Sequence, residues 1–189
     1  MSEAPSKELK QKKKVYIDTN VIVSAMLEDE KQHRLSKNFL NEIILNPKIH
    51  RLFEFYTSIF TLPELASAIY RRTKNREKAY ATLYNVIGTW KEALSVLDAP
   101  IPKRYSRSTR KWLDYFIRKL VEVAVEYGTP TMDSFHTLIL KEYHIDILIT
   151  WNKKDFKNVC SKLGIELLTP AEFMEVYLKP ILKDNSLNE

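Results

Sequence analysis

Three acidic residues, Asp18, Glu64 and Asp133, each stand where an apolar strand ends or a helix begins. Asp18 directly follows Val15-Tyr16-Ile17, and a carboxylate at such a strand end projects from the carboxyl edge of a sheet, where α/β folds gather their sites. Hard oxygen ligands suit Mg2+ or Mn2+, which bind a few carboxylates and keep waters for substrate phosphates. A cluster of this kind can neutralise a phosphodiester, lower the pKa of a bound water and orient it for in-line attack.

Taken singly, each acid also has a structural use. Asp18 can cap the helix that follows it. Thr61-x-x-Glu64 spells a capping box, in which Glu64 would serve the helix start and nothing else. Asp133 would sit at the positive end of a helix dipole. Only the three together speak for a metal-binding constellation, and without metal their crowding should raise the pKa of every member.

The elements that must position these acids follow from hydrophobic period and punctuation. Val15 to Ile17 reads as a buried strand, Asp18-Thr19-Asn20 as a polar edge, and Val21 to Leu27 as a helix. Phe55 to Ile59 repeats the strand, with Thr61 as N-cap of a helix through Leu65, Ala66, Ile69 and Tyr70. Helical spacing resumes at Ala79, Leu83, Val86, Ile87 and Trp90, a strand follows near Leu94 to Leu97, and Pro100 and Pro102 force a break.

From about Ser106, the positions Trp112, Phe116, Leu120, Val123 and Tyr127 form an apolar stripe ending at Gly128. The other face of this helix carries Arg107, Arg110, Lys111, Arg118 and Lys119. A helix from about Asp133 to Tyr143 precedes a strand at Ile145 to Thr150, and a short helix precedes a last strand at Ile165 to Leu168. Thr169-Pro170-Ala171-Glu172 then opens a helix with Pro at its first position and a capping box. Strands alternating with helices require crossover connections, hence a parallel sheet with helices on both faces.

The chain has 189 residues, which suits one domain. We divide it into a basic N-terminal tail at 1–13, a domain at 14–180 with a helical elaboration at about 99–128, and a polar tail at 181–189. The net charge of +6 favours a polyanionic partner without requiring one. Cys160 is the sole cysteine, which excludes an intramolecular disulfide and a cysteine-based zinc site; it reads as packing, in a reducing cytoplasm. No apolar run is long enough to span a membrane. Gly88, Gly128 and Gly164 form no phosphate-binding loop, so dinucleotide and P-loop readings fall away. A phosphatase of the haloacid dehalogenase type needs a second Asp two residues after Asp18, where Asn20 stands.

Five runs in order resemble the signature blocks of the PIN-domain family: Val15 to Ile22, Thr57 to Leu65, Asp133 to Leu138, Leu148 to Phe156 and Leu168 to Phe173. The resemblance implies a compact α/β/α sandwich around a parallel sheet, Mg2+ or Mn2+ as cofactor, and RNA hydrolysis by activated water. It assigns Asp18, Glu64 and Asp133 as the metal-binding acids and Asn152 as the fourth catalytic position, where an Asp is common; Asp155 is the weaker substitute. Within the family the chain is most similar to VapC-like toxin ribonucleases, which implies an antitoxin partner and a homodimer. It departs from them by its length and by the basic helix around 107–119. Two other readings stay open: a PIN-like module that holds RNA or protein without cleaving it, and an RNA-processing nuclease outside toxin–antitoxin systems.

Arg71, Arg72, Lys74, Lys153 and Lys154 flank these blocks and could meet RNA phosphates or simply be solvated charge. Tyr105 and Trp112 could stack on bases, although Trp112 fits the apolar stripe. His136 lies one turn beyond Asp133 and could touch the site, whereas His33, His50 and His144 read as structural or exposed.

Overall fold

The computed structural model describes residues 11–100 and 108–183. In chain order its elements are β1 Lys13–Ile17, α1 Thr19–Met26, α2 His33–Leu45, β2 Phe53–Ser58, α3 Thr61–Thr73 and α4 Arg76–Tyr84. There follow β3 Ser95–Leu97, α5 Thr109–Tyr127, α6 Thr131–Glu142, β4 Ile147–Ile149, α7 Lys153–Leu163, β5 Glu166–Leu168, α8 Pro170–Phe173 and α9 Lys179–Lys183. The five strands form one parallel sheet in the order β3-β2-β1-β4-β5. Helices cover both faces, which is the α/β/α sandwich expected.

The pleat sends alternate residues to opposite faces, so the strands serve two cores. Val15, Ile17, Phe53, Phe55, Ile147 and Ile149 pack with α1, α2, α3 and the C-terminal helices, including Ile22, Phe39, Leu65, Ile69 and Phe173. Tyr16 and Leu148 face the other way, against Phe116 and Val123 of α5, Leu138 of α6 and Phe156 and Val159 of α7. A slip of one residue in β1 would exchange the two sets, so this double burial fixes the register. Truncating one fully buried aliphatic such as Ile17 to alanine costs about 2–5 kcal/mol.

Several boundaries differ from the sequence expectation. β2 begins at Phe53 and ends at Ser58, because Phe53 and Phe55 both reach the first core. α6 starts at Thr131, so Asp133 occupies its first turn instead of opening it. Helix α2 was not expected at all, although Ser36, Phe39, Leu40 and Ile43 are buried at helical spacing. At the C-terminus, helix continues through Lys183 with Ile181 buried.

Other expectations hold. Gly128 ends α5 at φ 66°, a left-handed geometry that strains any residue with a Cβ. Thr169 and Glu172 form both bonds of their capping box. Cys160 is buried in the second core, where burial pushes its thiol pKa up to about 12. Among the described residues no helix is long and apolar enough to cross a membrane.

Candidate active site

β1 and β4 are neighbours, but the chain continues from β1 toward β2 and from β4 toward β5. At such a reversal of strand order, the two following connections diverge and leave a crevice beyond the carboxyl ends of the strands. Asp18 stands at the end of β1 and Thr150 at the end of β4. The Thr150 hydroxyl donates to Asp18 Oδ2 at 2.6 Å, and Asn20 Nδ2 donates to the same oxygen at 2.7 Å. Asn20 also reaches Thr150 Oγ1 at 2.9 Å and accepts the Trp151 N–H at 3.1 Å, so it staples the two strand ends together. Asp18 is 6% exposed and makes no side-chain cap bond to α1, which leaves its carboxylate to the crevice.

The capping box expected at Thr61 and Glu64 does not form. Phe60 takes the N-cap position of α3, and the buried Thr61 hydroxyl accepts from Thr57 Oγ1 at 2.8 Å. Glu64 is thereby released toward the crevice, where its Oε2 accepts from Thr19 Oγ1 at 2.5 Å and from His136 Nε2 at 3.0 Å. His136, 2% exposed, has its other nitrogen 2.7 Å from the Tyr16 hydroxyl, which donates onward to Ser58 at 2.8 Å.

Asp133 approaches from the first turn of α6, and among the described residues its carboxylate has no hydrogen-bond partner. Asn152 precedes α7; its backbone N–H donates to Thr150 Oγ1 at 3.0 Å and its side-chain amide donates to Asp155. Asp18, Glu64, Asp133 and Asn152 all line one open cleft of about 610 Å3, together with Arg71 and His136; Asp155 is not on its wall. The fold thus brings together all four residues singled out in the sequence.

Electrostatics separates the three acids. Burial raises the pKa of Asp18, and Glu64 adds to it, against the opposing effects of His136 and Thr150. Burial also raises Asp133, helped by the negative charges of Asp155, Asp18 and Glu64. Glu64 goes the other way, contrary to the expectation that all three would rise. Burial alone would lift it, but the hydrogen bond and charge of His136, with Thr19, hold it below the usual carboxylate range. His136 is raised well above the ordinary histidine value: burial opposes its charge, and Tyr16, Glu64 and Asp18 outweigh burial.

No three His, Cys, Asp or Glu side chains among the described residues close on one point as a ready metal cage. The donor set nevertheless suits a hard divalent cation. It consists of carboxylate oxygens, the side-chain bonds of Asp18 and Glu64 converge on one oxygen each, and Asp133 is unpartnered. Mg2+ is commonly held by one or two carboxylates with waters filling the remaining positions.

The flanking cations are divided. Lys153 pairs with Glu172 at 2.9 Å, and Arg72 with Glu30 at 2.8 Å and Asp29 at 3.6 Å, so both are engaged at the surface. Trp112 stacks on Phe116 at 5.5 Å, as packing predicts. Tyr105 and Arg107 lie outside the described residues. His33 and His50 bond the backbone oxygens of Ser24 and Ile43. Thr19, Asn20 and Thr150, which sequence reasoning treated as capping or strand-end residues, are the side chains that hold the acids.

A family model described as the PIN domain matches residues 15–162. Among solved structures, VapBC2 from Rickettsia felis, bound to a DNA fragment from its promoter, aligns with TM-score 0.51 and 16% identity, over 82% of this chain and 96% of that one. PAE2754 from Pyrobaculum aerophilum aligns with TM-score 0.50 and 14% identity, over 96% of this chain and 100% of that one. No curated protein matches the sequence. The match over 15–162, on a parallel sheet whose strand-order reversal carries a carboxylate-lined cleft, makes this chain a member of the PIN domain family.

Proposed function

We propose that this chain is a metal-dependent endoribonuclease that hydrolyses RNA phosphodiester bonds. The observation that carries this reading is that Asp18, Glu64 and Asp133 share one cleft and none is consumed by a helix cap hydrogen bond. Asp18, Glu64 and Asp133 would hold Mg2+ or Mn2+, which when bound supplies charge neutralisation and an acidified water. Thr150 and Asn20 orient Asp18, and Thr19 and His136 orient Glu64, so each acid presents its remaining oxygen from a fixed position. Asn152 contributes an amide oxygen without charge. Arg71, on the cleft wall, offers a guanidinium to a substrate phosphate.

Family membership and the similar fold of VapBC2 support a further step, in which the chain is the toxin of a VapBC-type pair acting in the cytoplasm. An antitoxin and a second copy of the chain would then be its partners. Leu113, Ile117, Val121 and Val125 leave an apolar row exposed along α5, a surface such a partner could cover.

The alternative of a binding module without cleavage has one observation in its favour: among the described residues no three acidic, histidine or cysteine side chains converge on one point. The two readings separate in one assay. Purified protein should cleave single-stranded RNA with Mn2+ or Mg2+, stop in chelator, and stop again in Asp18→Asn with its fold intact. RNA binding without metal-dependent cleavage would support the module instead.

A further inference from the structure

A second recess, of about 260 Å3, lies between α3 and α4 and is lined by Ala66, Ser67, Tyr70, Arg76, Ala79 and Tyr80. Ser67 also lines the carboxylate cleft, so the two depressions meet across α3. Tyr80 is 69% exposed, and Tyr84, one turn further along α4, is 75% exposed. The inward side of α4 supplies Ala79 to the first core and packs Leu83 against it, so the tyrosines are not needed for packing.

The cations here are arranged selectively. Arg72 is locked to Glu30 and Asp29, whereas Arg71 on the cleft wall and Arg76 on the recess wall form no ion pair among the described residues. A single-stranded nucleic acid is held by aromatic faces that stack on its bases and by cations that track its phosphates. Both occur here, beside a cleft suited to a phosphodiester. An apolar helix seeking a groove would instead require a row of aliphatic anchors, and this recess offers two hydroxyl-bearing rings and the guanidinium of Arg76.

We propose that the recess between α3 and α4 is a nucleotide subsite, in which one base of a single-stranded RNA stacks on Tyr80 while the adjoining phosphates meet Arg76 and Arg71. The subsite rests on the ribonuclease reading of the neighbouring cleft. It places the substrate strand across α3 at Ser67, with the scissile bond on one side and the stacked base on the other.

Binding of a short fluorescein-labelled single-stranded RNA to the full chain, read by anisotropy in chelator, tests this without cleavage. Tyr80→Ala should weaken binding roughly 5- to 150-fold, the range for loss of one stacked base, and Tyr80→Phe should bind like wild type. Arg76→Gln should reduce the slope of log affinity against log salt by about 0.7, the value for one single-strand phosphate contact. If wild type binds RNA and Tyr80→Ala binds equally well, the subsite is overturned, and a protein segment becomes the better occupant of the recess. If wild type binds no RNA, the failure lies in the ribonuclease reading and the subsite falls with it.

Discussion

His136 Nε2 lies 3.0 Å from Glu64 Oε2, while its Nδ1 lies 2.7 Å from the Tyr16 hydroxyl. The Tyr16 hydroxyl also bonds Ser58 at 2.8 Å, so the buried imidazole links Glu64 to the carboxyl end of β2. The contact raises the pKa of His136 and lowers that of Glu64, which favours a positive charge on the ring in a site otherwise crowded with acids.

The Glu64–His136 pair should stabilise the metal-free protein over a defined pH window. Glu64 is depressed, so its contribution is present above the unfolded carboxylate pKa and lost as pH falls through the folded value. His136 is raised, so its contribution is full below the unfolded histidine pKa and lost as pH rises through the higher folded value. Replacing His136 by alanine should cost about 3 kcal/mol inside this window, by leaving a partly buried carboxylate without its cation. Urea melts of both proteins in chelator across a pH series will show it; a pH-independent difference would mean that only packing was lost.

Asp133 should behave in the opposite sense. Its folded pKa is raised, so metal-free stability from this group is greatest below the unfolded carboxylate pKa and declines as pH rises through the folded value. Asp133→Asn should accordingly raise the melting temperature in chelator at neutral pH by a few degrees, an effect of at most about 1 kcal/mol. The same substitution should shrink the upward shift produced by Mn2+. An undiminished Mn2+ shift would remove Asp133 from the ligand set.

Thr150 holds Asp18 through a 2.6 Å hydrogen bond and should matter to the metal without touching it. Thr150→Val preserves shape and removes the donor. A loss of about 10- to 100-fold in Mn2+ affinity or cleavage is expected, as for other groups that orient metal ligands. Thr150→Ser should recover most of that loss, and calorimetry with all three proteins will show whether it does.

Asn152→Asp should tighten Mn2+ binding by adding a fourth charge to the cleft. It should also lower metal-free stability, because the amide that donates to Asp155 becomes a second carboxylate facing it. Asp155→Asn should affect Mn2+ binding less, since Asp155 is not on the cleft wall. Should Asp155→Asn prove the more damaging of the two in calorimetry, the fourth group of the site is Asp155.

Much of this architecture is legible in the sequence because it follows from local rules. The short, β-branched apolar runs around Val15–Ile17 and Ile147–Ile149 read as buried strands, and their alternation with helices favours a parallel sheet. Gly128 and the Thr169–Glu172 box mark helix ends through interactions between residues a few positions apart. The acids Asp18, Glu64 and Asp133 stand out for the same reason, as charges set where strands end and helices begin.

What the sequence could not decide is which use each acid is put to, since a capping carboxylate and a cleft carboxylate look alike along the chain. For Glu64 the choice is made by Thr57, which takes up the Thr61 hydroxyl, and by Thr19 and His136, which arrive from 45 and 72 residues away. For Asp18 it is made by Thr150, 132 residues distant, brought alongside by the pairing of β1 with β4. The direction of the Glu64 pKa shift was likewise hidden, because it depends on a histidine whose pKa is raised by its partners across the fold and not on any neighbour in sequence. Short-range geometry is written in residue order, while hydrogen bonds between distant segments and the electrostatics they create exist only once the sheet has closed.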